Sequence, residues 1–258
     1  MIRHVLFLVA FLLVTSDGRV VRGAPGGPAT MMPSPLRPIT WSARVAGPRR
    51  SELDQTLDKA LPDPWNMFDR KTGQRQEART CRDLLGLAPT SDPMDIHDDG
   101  SLPTDLISND WNVYDGHLVR CRIVAALQSA KPSLVDYLGT FALDDARLKE
   151  IPAAVIPTPS EWEERRLKKS SARGMSWKGW DRRIRVTKTF ASGVTVESPD
   201  TRCFLSVEGR GDFNGDGIED LVLSRSGGGQ EGTWSSTAAF VLTRRSPHAR
   251  IEIIRVIE

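Results

Sequence analysis

The chain has 258 residues, a formal net charge of +2 and three cysteines. That length can bury one or two ordinary cores, so no metal or disulfide is needed merely to reach a viable mass. The three cysteines include no C-x-x-C pair, which excludes a redox motif and a structural zinc site.

Residues 1–24 read as a secretory signal peptide and the start of a leader. Arg3 and His4 precede the apolar run Val5 to Val14, and small residues follow at Thr15 and Ser16. Cleavage after Ser16 suits the small-residue rule better than cleavage after Ala24, which would place Arg22 at a small-residue position. A run of this length is short of the roughly 20 apolar residues of a spanning helix, so the mature chain is expected to be secreted or periplasmic, without stable membrane insertion. Residues 25–50, rich in Pro, Gly and small side chains, are expected to be a disordered linker.

Residues 51–175 read as an α-rich region. Ser51 to Leu57 supports a first helix, and Gln74 to Leu85 a second that stops at Gly86 and Pro89. Asp115 to Ala130 repeats Leu118, Cys121, Val124, Ala125 and Leu127 at helical spacing before Lys131-Pro132. Asp144 can cap a short helix through Lys149, and Ser160 with Glu163 forms a capping box for a helix over Glu161 to about Lys169. The period then changes. Residues 176–258 read as β-rich, with strands at Arg183 to Phe190, Val194 to Glu197, Cys203 to Glu208, Leu221 to Ser224, Ala238 to Thr243 and Ile251 to Ile257. Within the first of these, Lys188 breaks the alternation begun by Ile184 and Val186. The short connections, among them Ser192-Gly193 and a turn at Gly227-Gly228-Gly229, imply an antiparallel meander. The expected class is α+β, a helical N-terminal part followed by an antiparallel meander, behind a disordered leader.

Cys81 and Cys121 are the expected disulfide in an oxidising compartment, because both lie in amphipathic stretches of one helical region. Cys203, at the start of a strand, would stay unpaired as a small buried hydrophobe. Between Ser51 and Asp115 acids outnumber bases fourteen to six, while Arg165 to Lys188 holds ten bases and one acid. Such blocks suggest two halves that attract each other, or a basic face for an anionic partner.

The segment "GRGDFNGDGIEDLVLSR", residues 209–225, carries the most specific chemistry. Calcium takes 6 to 8 oxygens on a tightly curved backbone. Asp212, Asn214 and Asp216 offer side-chain oxygens at alternate positions, Gly215 and Gly217 allow the curvature, Ile218 offers its carbonyl and Asp220 a last carboxylate. An EF-hand is excluded because Leu223 stands where a bidentate Glu is required and the flanks read as strands. The spacing resembles D-x-[DN]-x-D-G-x-x-D of FG-GAP and VCBS-type repeats, matched here by Asp212, Asn214, Asp216, Gly217 and Asp220 ahead of Leu221-Val222. That resemblance covers some fifty residues and implies a structural calcium site joining two strands. No second full copy of the loop stands at a regular spacing, so a lone blade-like meander is expected rather than a propeller. Arg210-Gly211-Asp212 also spells an integrin-binding tripeptide, but an aspartate that ligates calcium cannot present its carboxylate at a loop tip.

Other constellations are thinner. His97 among Asp95, Asp98 and Asp99 could serve a calcium-dependent hydrolase. His117 reads as a surface or helix-start residue, and no nucleophile elbow, zinc helix, Walker loop or dinucleotide fingerprint is present, so no catalytic or organic cofactor site is assigned. Trp177 and Trp180 interleave with Lys178, Arg182, Arg183 and Arg185, which suits an anionic envelope polymer or acidic protein and, after export, not nucleic acid. The stretch from Ser226 to Phe240 is expected beside the acidic loop. The expected function is that of an exported calcium-binding protein whose β module meets an unidentified partner. The hydrolase and an envelope inhibitor or immunity protein are the alternatives.

Overall fold

Leu221-Val222-Leu223 and Ala238 to Leu242 are unbroken apolar runs. Successive strand residues face opposite sides, so such runs require both faces of a sheet to be covered. The computed structural model describes residues 35–47, 49–95, 104–105, 108–232 and 234–258, with backbone alone for 104–105, 108 and 109. It is a mixture of helices and antiparallel sheets. Strands β6 (Arg185–Phe190), β7 (Gly193–Glu197), β8 (Thr201–Gly211), β9 (Asp220–Gly229), β10 (Ser235–Thr243) and β11 (Glu252–Ile257) lie side by side in chain order, every neighbouring pair antiparallel. The expected meander is therefore present. The break at Lys188 coincides with a register shift between Val186 and Lys188, a bulge that returns the strand to its pairing.

Both faces of the meander are buried. Leu205, Leu221, Leu223, Ala238, Phe240 and Leu242 enter one core with Leu148, Ile151, Val155 and Trp177. The intervening Val222, Ala239 and Val241 enter another with Leu53, Leu84, Leu118, Val124 and Leu127. Each fully buried Leu of this kind contributes about 1.5–3 kcal/mol relative to exposure. The second core is supplied by α1 (Arg50–Asp58), α2 (Cys81–Leu87) and α3 (Ser108–Ser129). The first is closed by two single-turn 3-10 segments, Arg147–Lys149 and Ala153–Val155, with α5 (Trp177–Trp180), and α4 (Glu161–Ala172) packs against the second of those segments. Ser160 accepts the Glu163 amide as the N-cap of α4, and Asp144 Oδ1 accepts the Arg147 amide.

Several expectations are corrected. Part of the expected linker is ordered: β1 (Thr40–Trp41) pairs with the end of β8, and Ile39 and Trp41 pack on the helical core. The α-rich region also holds a four-stranded antiparallel sheet, β3-β2-β4-β5, formed by β2 (Ala60–Asp69), β3 (Arg75–Thr80), β4 (Ser91–Asp95) and β5 (Thr104–Asp105). The helix expected over Gln74 to Leu85 is thus a strand followed by a helix. The Asp69 carboxylate accepts the Lys71 and Thr72 amides, which turns β2 into β3. Thr80 and Asp83 then form a reciprocal capping box that starts α2.

Gly227, Gly228 and Gly229 are strand residues of β9, not a turn. A Cβ on Gly227 would lie 2.3 Å from the Arg202 carbonyl oxygen and 2.4 Å from Cys203 Cα, so glycine is needed for the approach of β8. The Cys81–Cys121 disulfide is formed, between α2 and α3, and Cys203 is free and buried. The charge blocks do not pair with each other among the described residues. Lys178 meets Asp145, Arg183 meets Asp181 and Asp200, and Arg70 meets Asp92. No helix among the described residues is long and apolar enough to cross a membrane.

Candidate metal centre

The β8–β9 hairpin is closed by the pair Gly211 and Asp220, and residues 212–219 form its turn. Short polar side chains and glycines cannot bury an apolar face, so such a segment folds by bonding its own backbone. Asp212 does most of this. Its Oδ1 accepts the amides of Asn214 at 3.2 Å and Gly215 at 2.6 Å, and its Oδ2 accepts that of Gly217 at 2.9 Å. Asn214 Oδ1 accepts the Asp216 amide at 2.9 Å, its Nδ2 donates to Asp216 Oδ2, and Asp216 Oδ1 accepts the Ile218 amide at 2.8 Å. Gly215 and Gly217 have φ of 83° and 81°, a conformation that suits glycine.

Asp220 behaves differently. Its side chain is fully buried at the start of β9, where Oδ2 accepts the Phe213 amide at 3.0 Å and Oδ1 has no hydrogen-bond partner. Burial pushes its carboxyl up to about 6, and Asp216 and Asp212 push the same way, against the pull of the Thr243 hydroxyl and the Phe213 amide. The Thr243 hydroxyl is itself buried without a hydrogen bond of normal geometry.

The turn is clasped from outside by the segment that follows α3. Lys131 and Asp212 exchange backbone bonds at 2.9 and 2.8 Å, Leu134 donates to the Gly217 carbonyl at 2.8 Å, and Glu219 donates to that of Val135 at 2.7 Å. Lys131 Nζ would lie 3.9 Å from a Cβ on Gly215, which puts one ammonium beside the turn. Arg210 Nη1 donates to Glu219 Oε1 at 2.7 Å and Nη2 to the Gly139 carbonyl at 2.7 Å. With Arg210 engaged in this way and Asp212 buried, the integrin-type tripeptide is not presented at a loop tip.

Asp212, Asn214, Asp216 and Ile218 are thus brought into one hydrogen-bonded turn, with Asp220 attached through Phe213. Among the described residues, however, no three His, Cys, Asp or Glu side chains converge as a metal-ligating group. The donor chemistry nevertheless fits a hard cation. All candidate ligands are oxygens, each carboxylate has about four acceptor positions of which amides use only some, and Asp220 Oδ1 is buried with none used.

Elsewhere, Asp95 ends β4, while His97, Asp98 and Asp99 lie outside the described residues. His117 lies within α3, not at its start, and its Nδ1 accepts the Trp65 indole N–H at 3.1 Å. Burial, then Arg120, holds its pKa below the ordinary value. Trp177 is a core residue, whereas Arg166 stacks over the exposed rings of Trp162 and Trp180. The glycine-containing stretch before Trp234 lies at the opposite end of β9 from the acidic turn, about 30 Å away at strand rise, not beside it. No family model, curated protein or solved structure matches the chain.

Proposed function

We propose that the β8–β9 turn binds one calcium ion as a structural staple, in an exported protein whose β module serves binding rather than catalysis. The observation that supports this most is the buried Oδ1 of Asp220, which has no hydrogen bond of normal geometry and only the Thr243 hydroxyl acting on its carboxyl, beside a turn whose Asp212 and Asp216 are already held by amides. A buried carboxylate oxygen without a partner is costly, and a divalent cation would offset that cost. Asp212, Asp216 and Asp220, with the Asn214 and Ile218 oxygens, would hold the ion, which would supply charge neutralisation only. The resemblance of their spacing to FG-GAP and VCBS-type loops supports the same reading, and the Cys81–Cys121 disulfide is compatible with an oxidising compartment. The partner on this reading is a protein or an anionic envelope polymer.

The test is thermal melting of the full chain in chelator and in 10 mM calcium, beside Asp216→Ala. With a dissociation constant of about 10⁻⁴–10⁻³ M, typical of extracellular modules, calcium stabilises by about 1.4–2.7 kcal/mol. The wild type should gain and the variant should not, with magnesium giving the smaller effect. Identical melting of both proteins with and without calcium overturns the reading.

A further inference from the structure

Arg225 stands where the β9 pattern calls for a core hydrophobe. Leu221 and Leu223 precede it on the same face and enter the core beneath the 3-10 segments, and Arg225 pairs in register with Ala238 of that core. The residue is 7% exposed. Its Nη1 donates to the Val155 carbonyl at 3.1 Å, its Nη2 to Ser236 Oγ at 2.9 Å, and its Nε has no partner. The guanidinium carbon lies 5.6 Å from the centroid of the Phe240 ring. No carboxylate stands within ion-pair distance of it among the described residues. Burial lowers its pKa from the ordinary arginine value, but a guanidinium keeps its proton in proteins, so the charge persists with no carboxylate in direct contact, Glu258 and Glu164 acting on it only from a distance.

This arginine lines a cavity of about 720 Å³ between α4 and the face of β9, β10 and β11. That volume falls within the range of sites for small organic molecules, about 300–1,000 Å³. Ile156, Ala238, Phe240, Ile251, Ile253 and Val256 form an apolar wall. Of the other charges lining it, Lys168 holds Glu164 at 2.5 Å and Arg245 holds Glu252 at 3.2 Å, while Arg250, exposed to solvent, donates to the Arg173 carbonyl and meets no carboxylate among the described residues. Glu258 also lines the cavity and acts on Arg225 through space without coming within ion-pair distance.

We propose that this cavity binds a small amphipathic monocarboxylate, with Arg225 as the counter-ion of its carboxyl group and the Phe240–Ile253 wall as the seat of its apolar body. Arg225 is the buried cation of this lining, whereas Arg250 is open to solvent, so the interior of the cavity presents one positive charge, which one carboxylate matches. A phosphate dianion would bring excess charge against Glu164 and Glu258, and a neutral amphiphile would leave Arg225 unpaired. The planar fork of a guanidinium also suits a carboxylate. The site is separate from the acidic turn, since Arg225 and Asp220 lie five residues apart along one strand, about 17 Å.

The experiment is titration calorimetry of the full chain with decanoate below its micellar concentration, beside decanol and decyltrimethylammonium. Decanoate should bind saturably with one site, and the two other amphiphiles at least tenfold more weakly. Arg225→Met should weaken decanoate at least tenfold while bringing decanol to parity with it. Ile253→Trp, which fills the cavity from a half-buried strand position and leaves the Arg225 side chain unaltered, should also lose decanoate binding while its circular dichroism spectrum stays that of the folded wild type. Equal binding of decanoate and decanol by the wild type, no saturable binding of decanoate, or undiminished binding by Ile253→Trp each overturns the assignment. The wild-type comparison and the Ile253 variant decide the matter even if Arg225→Met does not fold.

Discussion

Asp220→Asn separates a buried carboxylate that awaits a cation from one that merely supports a strand. The wild-type side chain is fully buried, one oxygen lacks a partner, and its carboxyl is pushed up to about 6 from an ordinary 3.8. At 1.36 kcal/mol per pH unit, keeping it ionised at pH 7.5 costs the fold up to roughly 3 kcal/mol. The sign follows from the raised value: the folded state holds the proton more tightly, so this contribution is present in full below about pH 3.8 and lost as pH rises through about 6. The Asn carbonyl can still accept the Phe213 amide, and its NH₂ can donate to the unpartnered Thr243 hydroxyl. In chelator, Asp220→Asn should therefore melt above the wild type at pH 7.5, with the difference shrinking toward pH 4.5. In 10 mM calcium at pH 7.5 the wild type should recover about 1.4–2.7 kcal/mol, a rise of roughly 3–10 °C for a protein of this size, and the variant nothing. Melting curves by circular dichroism over a pH and calcium grid supply the measurement. A variant that melts several degrees below the wild type in chelator at every pH would refute the reasoning, because the charge would then not be a cost.

Two further outcomes test the fold. Cys81 and Cys121 are 40 residues apart, and in the chain-entropy model closing such a loop is worth about 4 kcal/mol, so the double Ala variant should lose about that much in urea unfolding and show no further loss with reductant. Gly227→Ala should cost several kcal/mol in the same assay, since the new Cβ meets β8 backbone rather than a side chain that could move.

The parts of the fold legible in the sequence were those where local pattern and tertiary packing agree. The C-terminal strands announced themselves because a sheet buried on both faces needs branched and apolar residues at nearly every position, as in Ala238 to Leu242. Gln74 to Leu85 was misread because its first half is held as a strand by cross-strand pairing with β2. Likewise, Gly227 to Gly229 has the composition of a turn, and only the proximity of β8 and of residues 234 and 235 makes glycine a strand residue there. The acidic turn could be read because its polar groups lie within nine residues and bond to one another. Its clasp by Lys131 to Val135 left no sequence signal, since those contacts run between backbone groups some eighty residues apart.

By itself the sequence determined the periodicities, the breaks, the cysteine spacing and the alternation of oxygens from Asp212 to Asp220, because each depends on side chains a few positions apart. Tertiary structure alone decided that Asp220 would be buried with an oxygen lacking a hydrogen bond of normal geometry, and that Arg225 would face a cavity with no carboxylate in direct contact with it. Desolvation is the physical reason: it depends on which distant segments cover a group, and Thr243 and Val155 reach these two charges only through the folded sheet and its outer layer.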